Sequence, residues 1–141
     1  MNILTGLIGL LTLLAALFST PSQATDINNE RAKYNYQLLC QGCHTPDGSG
    51  SKSIPQIKNH IGRFLATSSG REYLIRVPGA ANSTLDDSQL AEVLNWMILE
   101  FGGLSTPANM ELYTADEVKV LRQSALFEVT EYRNFLLSQL P

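Results

Sequence analysis

Asn35-Tyr-Gln-Leu-Leu-Cys40-Gln-Gly-Cys43-His44 is the stretch on which the reading of this 141-residue chain turns. Two cysteines stand three residues apart, and a histidine follows the second directly. Upstream, Asp26 to Gln41 has helical spacing: Tyr34, Leu38 and Leu39 lie at i, i+4 and i+5 as an apolar face, and Asp26 or Asn28 can cap the start. Downstream, Thr45 to Ser53 switches to Gly, Ser, Asp and Pro, which is loop composition. A helix should therefore deliver both thiols to one place, and a loop should lead the chain away from them.

Further along, Pro55 to Ala66 reads as a short helix with Ile57, Ile61, Phe64 and Leu65 on one side. Arg71 to Val77 reads as another, stopped by Pro78-Gly79. Asp86 to Phe101 carries the strongest helical signal, with Leu90, Val93, Leu94, Met97 and Phe101 at helical spacing, acidic residues in the first turn and Gly102-Gly103 at the end. Thr114-Ala-Asp-Glu117 fits a capping box that opens a helix from about Ala115 to Gln123. Phe127 to Leu140 is expected to form one more, with Val129, Tyr132, Leu136 and Leu140 inward. No strand pattern stands out, so the expected class is all-α.

The first 24 residues carry no charge, and Ile3 to Phe18 is an almost unbroken apolar run ending in Ser22-Gln23-Ala24. That order is the pattern of a cleaved secretory leader, although Met1-Asn2 lacks the usual basic residue. A membrane span needs about 20 apolar residues, and this run is shorter, so a membrane is expected only if the leader stays uncleaved. The expected organisation is residues 1–24 as signal peptide, 25–103 as the principal domain and 104–141 as a helical extension packed on it. Net charge −3 and pI near 5.3 argue against nucleic-acid binding, which calls for a basic stripe, and favour a basic partner if charge selects one.

The chemistry lies in Cys40-Gln-Gly-Cys43-His44, the C-x-x-C-H pattern of covalent haem attachment. Two thiols three residues apart can add to the two vinyl groups of one porphyrin, and the next residue can project its imidazole beneath the iron. Other readings are a disulfide, a thioredoxin-like redox pair and a zinc site. The redox pair wants a βαβ pattern that is not visible, and zinc wants more ligands than His60, the only other histidine, supplies. Haem c with His44 as proximal ligand is the expectation.

From about Asn28 to Phe101 the chain resembles the small bacterial class I cytochromes c. The resemblance rests on the helix before the pentad, on Pro55 at about the distance of the family's proline, and on Leu90-Ala-Glu-Val-Leu-Asn-Trp96-Met97-Ile98 as its C-terminal helix. It implies a helical wrapper around one haem, with the Pro55 carbonyl accepting a hydrogen bond from the His44 ring. It also implies a Met ligand on the loop before that last helix, but Val77-Pro-Gly-Ala-Ala-Asn82-Ser has none. Met110, in a loop ahead of a capped helix, is the first candidate for the sixth ligand, followed by Met97 and His60, with an open iron also possible. Tyr73, Trp96 and Phe101 are expected in the core. Arg63, Arg71 and Arg76 are expected at the solvated surface, with propionate binding as the rival role, and Asp86, Asp87 and Glu92 at a helix start and its wet face.

The expected function is one-electron carriage in the periplasm, between a dehydrogenase or respiratory complex and an acceptor, with a dehydrogenase, oxidase or other cytochrome as redox partner protein. Two other classes stay open. The apolar content of the extension, including Leu112, Val118, Leu121, Phe127, Tyr132, Phe135 and Leu136, fits a fixed subunit of a larger redox enzyme. An iron lacking its family Met fits a sensor or peroxidase.

Overall fold

The structure is a computed structural model that describes residues 27–140, among which every regular element is helical. The expected signal peptide lies outside the described residues. Helix α1 (Asn29–Leu39) begins where the Asn28 side chain accepts the Arg31 N–H, a cap that contributes about 1 kcal/mol. The four-residue α2 (Gln41–His44) follows at once.

The apolar stripe expected to face inward on α1 faces out. Tyr34, Leu38 and Leu39 are 63%, 64% and 41% exposed, while Ala32, Asn35 and Tyr36 are buried. The reason lies in the partner helix, α5 (Asp87–Phe101). The small Ala32 lets the backbones approach, and Tyr36 one turn later joins Trp96 and Phe101, at ring-centroid distances of 5.4 and 5.1 Å. Glu92, expected on a wet face, is buried as well. It takes the Asn28 N–H at 2.8 Å and two bonds from Arg31 at 2.7 and 2.8 Å, tying the start of α1 to α5.

Residues 55–66 do not form one helix. Asn59 adopts a positive φ of 57°, and only Ile61–Ala66 winds, as a 3₁₀ segment, with Ile57, Ile61 and Phe64 buried. Helix α3 (Ser68–Arg76) starts earlier than its apolar pattern indicates, because the Thr67 hydroxyl caps it through the Gly70 N–H. Val77 is extended ahead of Pro78, which opens the short α4 (Pro78–Ala81). Helix α5 matches its sequence pattern closely. Asp86 and Gln89 form a reciprocal capping box, and Leu90, Val93, Leu94, Met97 and Phe101 are all buried.

After a 3₁₀ turn at Gly103–Ser105, the extension runs as a strap to α6 (Ala115–Leu121) and α7 (Val129–Ser138). It is fixed to the preceding helices by polar contacts. Arg71 grips Glu117 through two bonds, donates to the carbonyls of Glu111 and Leu112, and stacks on the Tyr113 ring. Asn95 and Tyr113 exchange side-chain-to-backbone bonds at 3.0 and 2.7 Å. Arg76 donates to the Ser124 carbonyl. Arg122 donates to the carbonyls of Ala81, Ser83 and Leu85 and to Asp87. Arg71 and Arg76 are therefore structural clamps rather than solvated side chains, while Arg63 is exposed as expected. Thr114 caps α6 through the Glu117 N–H, but the Glu117 carboxylate turns to Arg71 instead of closing the box. Of the apolar residues in α6 and α7, Val118 and Leu136 are buried and Tyr132 half-buried; Phe127, just ahead of α7, and Phe135 remain exposed.

Candidate functional site

Cys40, Cys43 and His44 meet on the turn that joins α1 to α2. The Cys40 carbonyl accepts the N–H groups of Cys43 and His44 at 3.1 and 3.0 Å, so the cysteines sit one turn apart on neighbouring positions of a helical surface. Cys40 is half-buried, Cys43 is exposed, and no disulfide joins them. Burial first, and then Cys43, push the Cys40 thiol up to about 11, so at neutral pH it is a protonated thiol. That state does not suit the thiolate chemistry of a redox pair.

The chain reverses directly after His44. Thr45 takes a positive φ of 66°, its hydroxyl meets the His44 carbonyl, Asp47 and Ser49, and Gly50 N–H donates back to the His44 carbonyl. The Tyr36 hydroxyl donates to the Thr45 carbonyl at 2.5 Å, so α1 itself holds the turn; burial raises this phenol to about 12. Gly48 is pressed against Ile57 and Phe101, and its carbonyl accepts the N–H groups of Ile57 and Lys58. The loop is thereby folded onto the core with Pro55 beside the His44 ring.

His44 is partly buried on this turn. Burial lowers its pKa, and the Pro55 carbonyl partly opposes that by acting on the ring, so the neutral form prevails at neutral pH. Nδ1 is buried and has no hydrogen bond of full geometry within the chain. The ring is thus oriented only loosely by Pro55, and an iron on its other nitrogen would complete that orientation. Two thiols on one turn, a neutral imidazole beside them and a carbonyl behind it fit a thioether-bound haem. Zinc fits poorly: among the described residues no group of three or more Cys, His, Asp or Glu could hold a metal ion.

The other candidate ligands come from three separate segments. Met97 is buried in the α5 core stripe. His60 is half-buried and pairs through Nδ1 with the Lys58 carbonyl at 3.0 Å. Met110 is half-buried against the core, on the strap whose next two carbonyls are held by Arg71. The sequence reading missed Asn35, a buried amide on α1. It also missed the Tyr36–Thr45 bond, for which the i, i+4 spacing of Ala32 and Tyr36 is the available signal.

The fold and its site define a class: a small all-α domain organised around a two-thiol, one-imidazole attachment turn. Comparison with known proteins agrees. The chain is 32% identical over 106 aligned residues to cytochrome c-552 of Thermus thermophilus, covering 62% of this chain and 81% of that protein. A second cytochrome c-552 of the same species matches at 32%, with 72% of its length covered. The chain belongs to the c-type cytochromes. No family model matches it, and no solved structure does.

Proposed function

We propose that the protein is a periplasmic one-electron carrier with a single haem c, bound through thioethers at Cys40 and Cys43 and ligated at the iron by His44. The observation that carries this reading is the His44 environment, a buried neutral imidazole with an unsatisfied Nδ1 facing a backbone carbonyl, placed beside two thiols on one turn. When bound, haem supplies a reversible one-electron couple. The chain holds and orients the ligand. Tyr36 pins the reversal after His44, Gly48 packs the loop on Phe101, and the Pro55 carbonyl acts on the His44 ring.

For the sixth position we propose Met110, a thioether on a strap that Arg71 anchors on its C-terminal side and that Gly62 meets near Thr106. The Met110→Ala protein should bind carbon monoxide in its reduced state, shifting the Soret band, whereas the wild type should not. Binding by the wild type would favour the sensor or peroxidase class instead. The carrier role itself is tested by stopped-flow mixing of the reduced protein with an oxidised periplasmic extract, which should reoxidise it fully.

One observation supports a second reading, a fixed subunit: Phe127 and Phe135 remain 96% and 56% exposed after the extension has packed on its own domain. Size exclusion of native extract separates the two readings, since a free carrier elutes at the size of the single chain.

A further inference from the structure

A groove of about 350 Å³ runs between the first turns of α1 and the end of α5, lined by Asn29, Glu30 and Lys33 from one helix and Trp96, Leu99 and Glu100 from the other. Five of these six residues are exposed, and Trp96, at 9% exposure, is the buried one. Its ring packs inward on Tyr36 and Phe101. The indole N–H donates to no acceptor among the described residues, and it is not among the orphaned polar atoms sealed from solvent. It therefore opens on the groove that the ring lines. A buried indole normally finds a partner for its N–H, and this donor is left for a group that enters from outside.

The walls carry charge that the chain does not use. Glu30 and Glu100 line the same groove from different helices, yet among the described residues neither forms an ion pair, and Lys33 forms none either. Other carboxylates on and near these helices are taken: Glu92 by Arg31, Asp87 by Arg122 and Glu117 by Arg71. Two carboxylates against one ammonium leave the groove net negative. An indole beside carboxylates suits a guanidinium, which is planar and weakly hydrated, forks onto carboxylate oxygens and stacks on aromatic rings.

We infer that the groove anchors an arginine side chain of a partner protein, with the Trp96 N–H donating to a backbone carbonyl of the same segment. Sites for small molecules bury most of the ligand's surface, which a groove with five exposed wall residues does not do. A partner's own body supplies the missing cover, and an arginine set against a tryptophan is a contact of the kind that concentrates binding energy at protein interfaces. A basic partner is also what the net charge of −3 favours. The site lies toward the start of α1, with Lys33 about 10 Å along the helix from Cys40. A partner anchored there need not cover the attachment turn.

Trp96 is the only tryptophan, so its indole N–H gives a single proton–nitrogen correlation signal, and the reduced, haem-loaded protein can be titrated directly. The peptide acetyl-Gly-Arg-Gly-amide should move that signal to saturation, with a response that weakens as salt rises. Acetyl-Gly-Glu-Gly-amide should leave it in place. The double variant Glu30→Gln, Glu100→Gln should bind the arginine peptide at least about fivefold more weakly. Lys33→Gln should bind it more tightly, and Glu131→Gln, an equal change of charge on α7, should bind it as the wild type does. Methylguanidinium, which lacks the carbonyl, should bind more weakly than the peptide. The inference is overturned if the arginine peptide leaves the indole signal unmoved, or if the double variant binds it as the wild type does. It is also overturned if methylguanidinium binds as tightly as the peptide, which would mark a site for small cations. A chain found to lack haem would remove the function reading, and the titration would still be read in the same way.

Discussion

At the scale of single residues, the site depends on how the loop after His44 is folded back. Gly50 has a positive φ of 70°, and a Cβ there would lie 2.5 Å from the Ile54 carbonyl oxygen and 2.9 Å from Pro55. Gly50→Ala therefore strains the backbone and pushes Pro55 away from the His44 ring. The expected result is a loss of about 1–2 kcal/mol in thermal unfolding. A change in reduction potential should accompany it, because the ring loses the carbonyl that makes it more basic. The turn that brings Cys40, Cys43 and His44 together was legible in the sequence, because C-x-x-C-H is a local pattern within one helical turn. The support from Tyr36 was not, because it depends on which face of α1 meets α5.

At the scale of elements, helix α5 and the extension show where pattern reading succeeds and where it stops. The extent of α5 followed from its own residues, since capping signals and a 3.6-residue apolar repeat are written within the helix. The partners of Glu92 and Arg122 lie 61 and roughly 40 positions away in sequence, and no local pattern encodes such pairings. The same limit explains α1. It carries two candidate apolar stripes, and the choice of Ala32 and Tyr36 over Leu38 and Leu39 is made by α5. Arg122 spends its donors on three backbone carbonyls and Asp87, and its side chain is only 12% exposed. Arg122→Ala leaves those carbonyls without partners, so the variant should unfold in urea with a stability lower by about 2–3 kcal/mol. An unchanged midpoint would show that the extension does not brace the loop before α5.

At the scale of the whole molecule, stability should depend on acid through two depressed carboxylates. Burial pushes Glu92 upward, but the Arg31 guanidinium, the Asn28 N–H and the charge of Arg31 together outweigh it and hold the group below its ordinary 4.5. Asp47 is held well below its ordinary 3.8 by Ser49, Thr45 and Lys58. Groups depressed in the folded state contribute stability that is complete above the ordinary carboxylate values and is lost as pH falls through the folded ones. The melting temperature should therefore be flat near neutrality and fall below about pH 4. Glu92→Gln should lower it at neutral pH and flatten the acid limb.

The all-α architecture, the attachment turn and the loop behind it converge on one claim, that this chain carries haem through two thioether bonds. The most direct measurement is the intact mass of the protein expressed in a host able to attach haem, compared with Cys40→Ala and Cys43→Ala. The account predicts the wild type at the mass of the processed polypeptide plus one haem, retained after acid–acetone extraction, with neither variant held by two bonds. A wild-type mass equal to that of the polypeptide alone would contradict it.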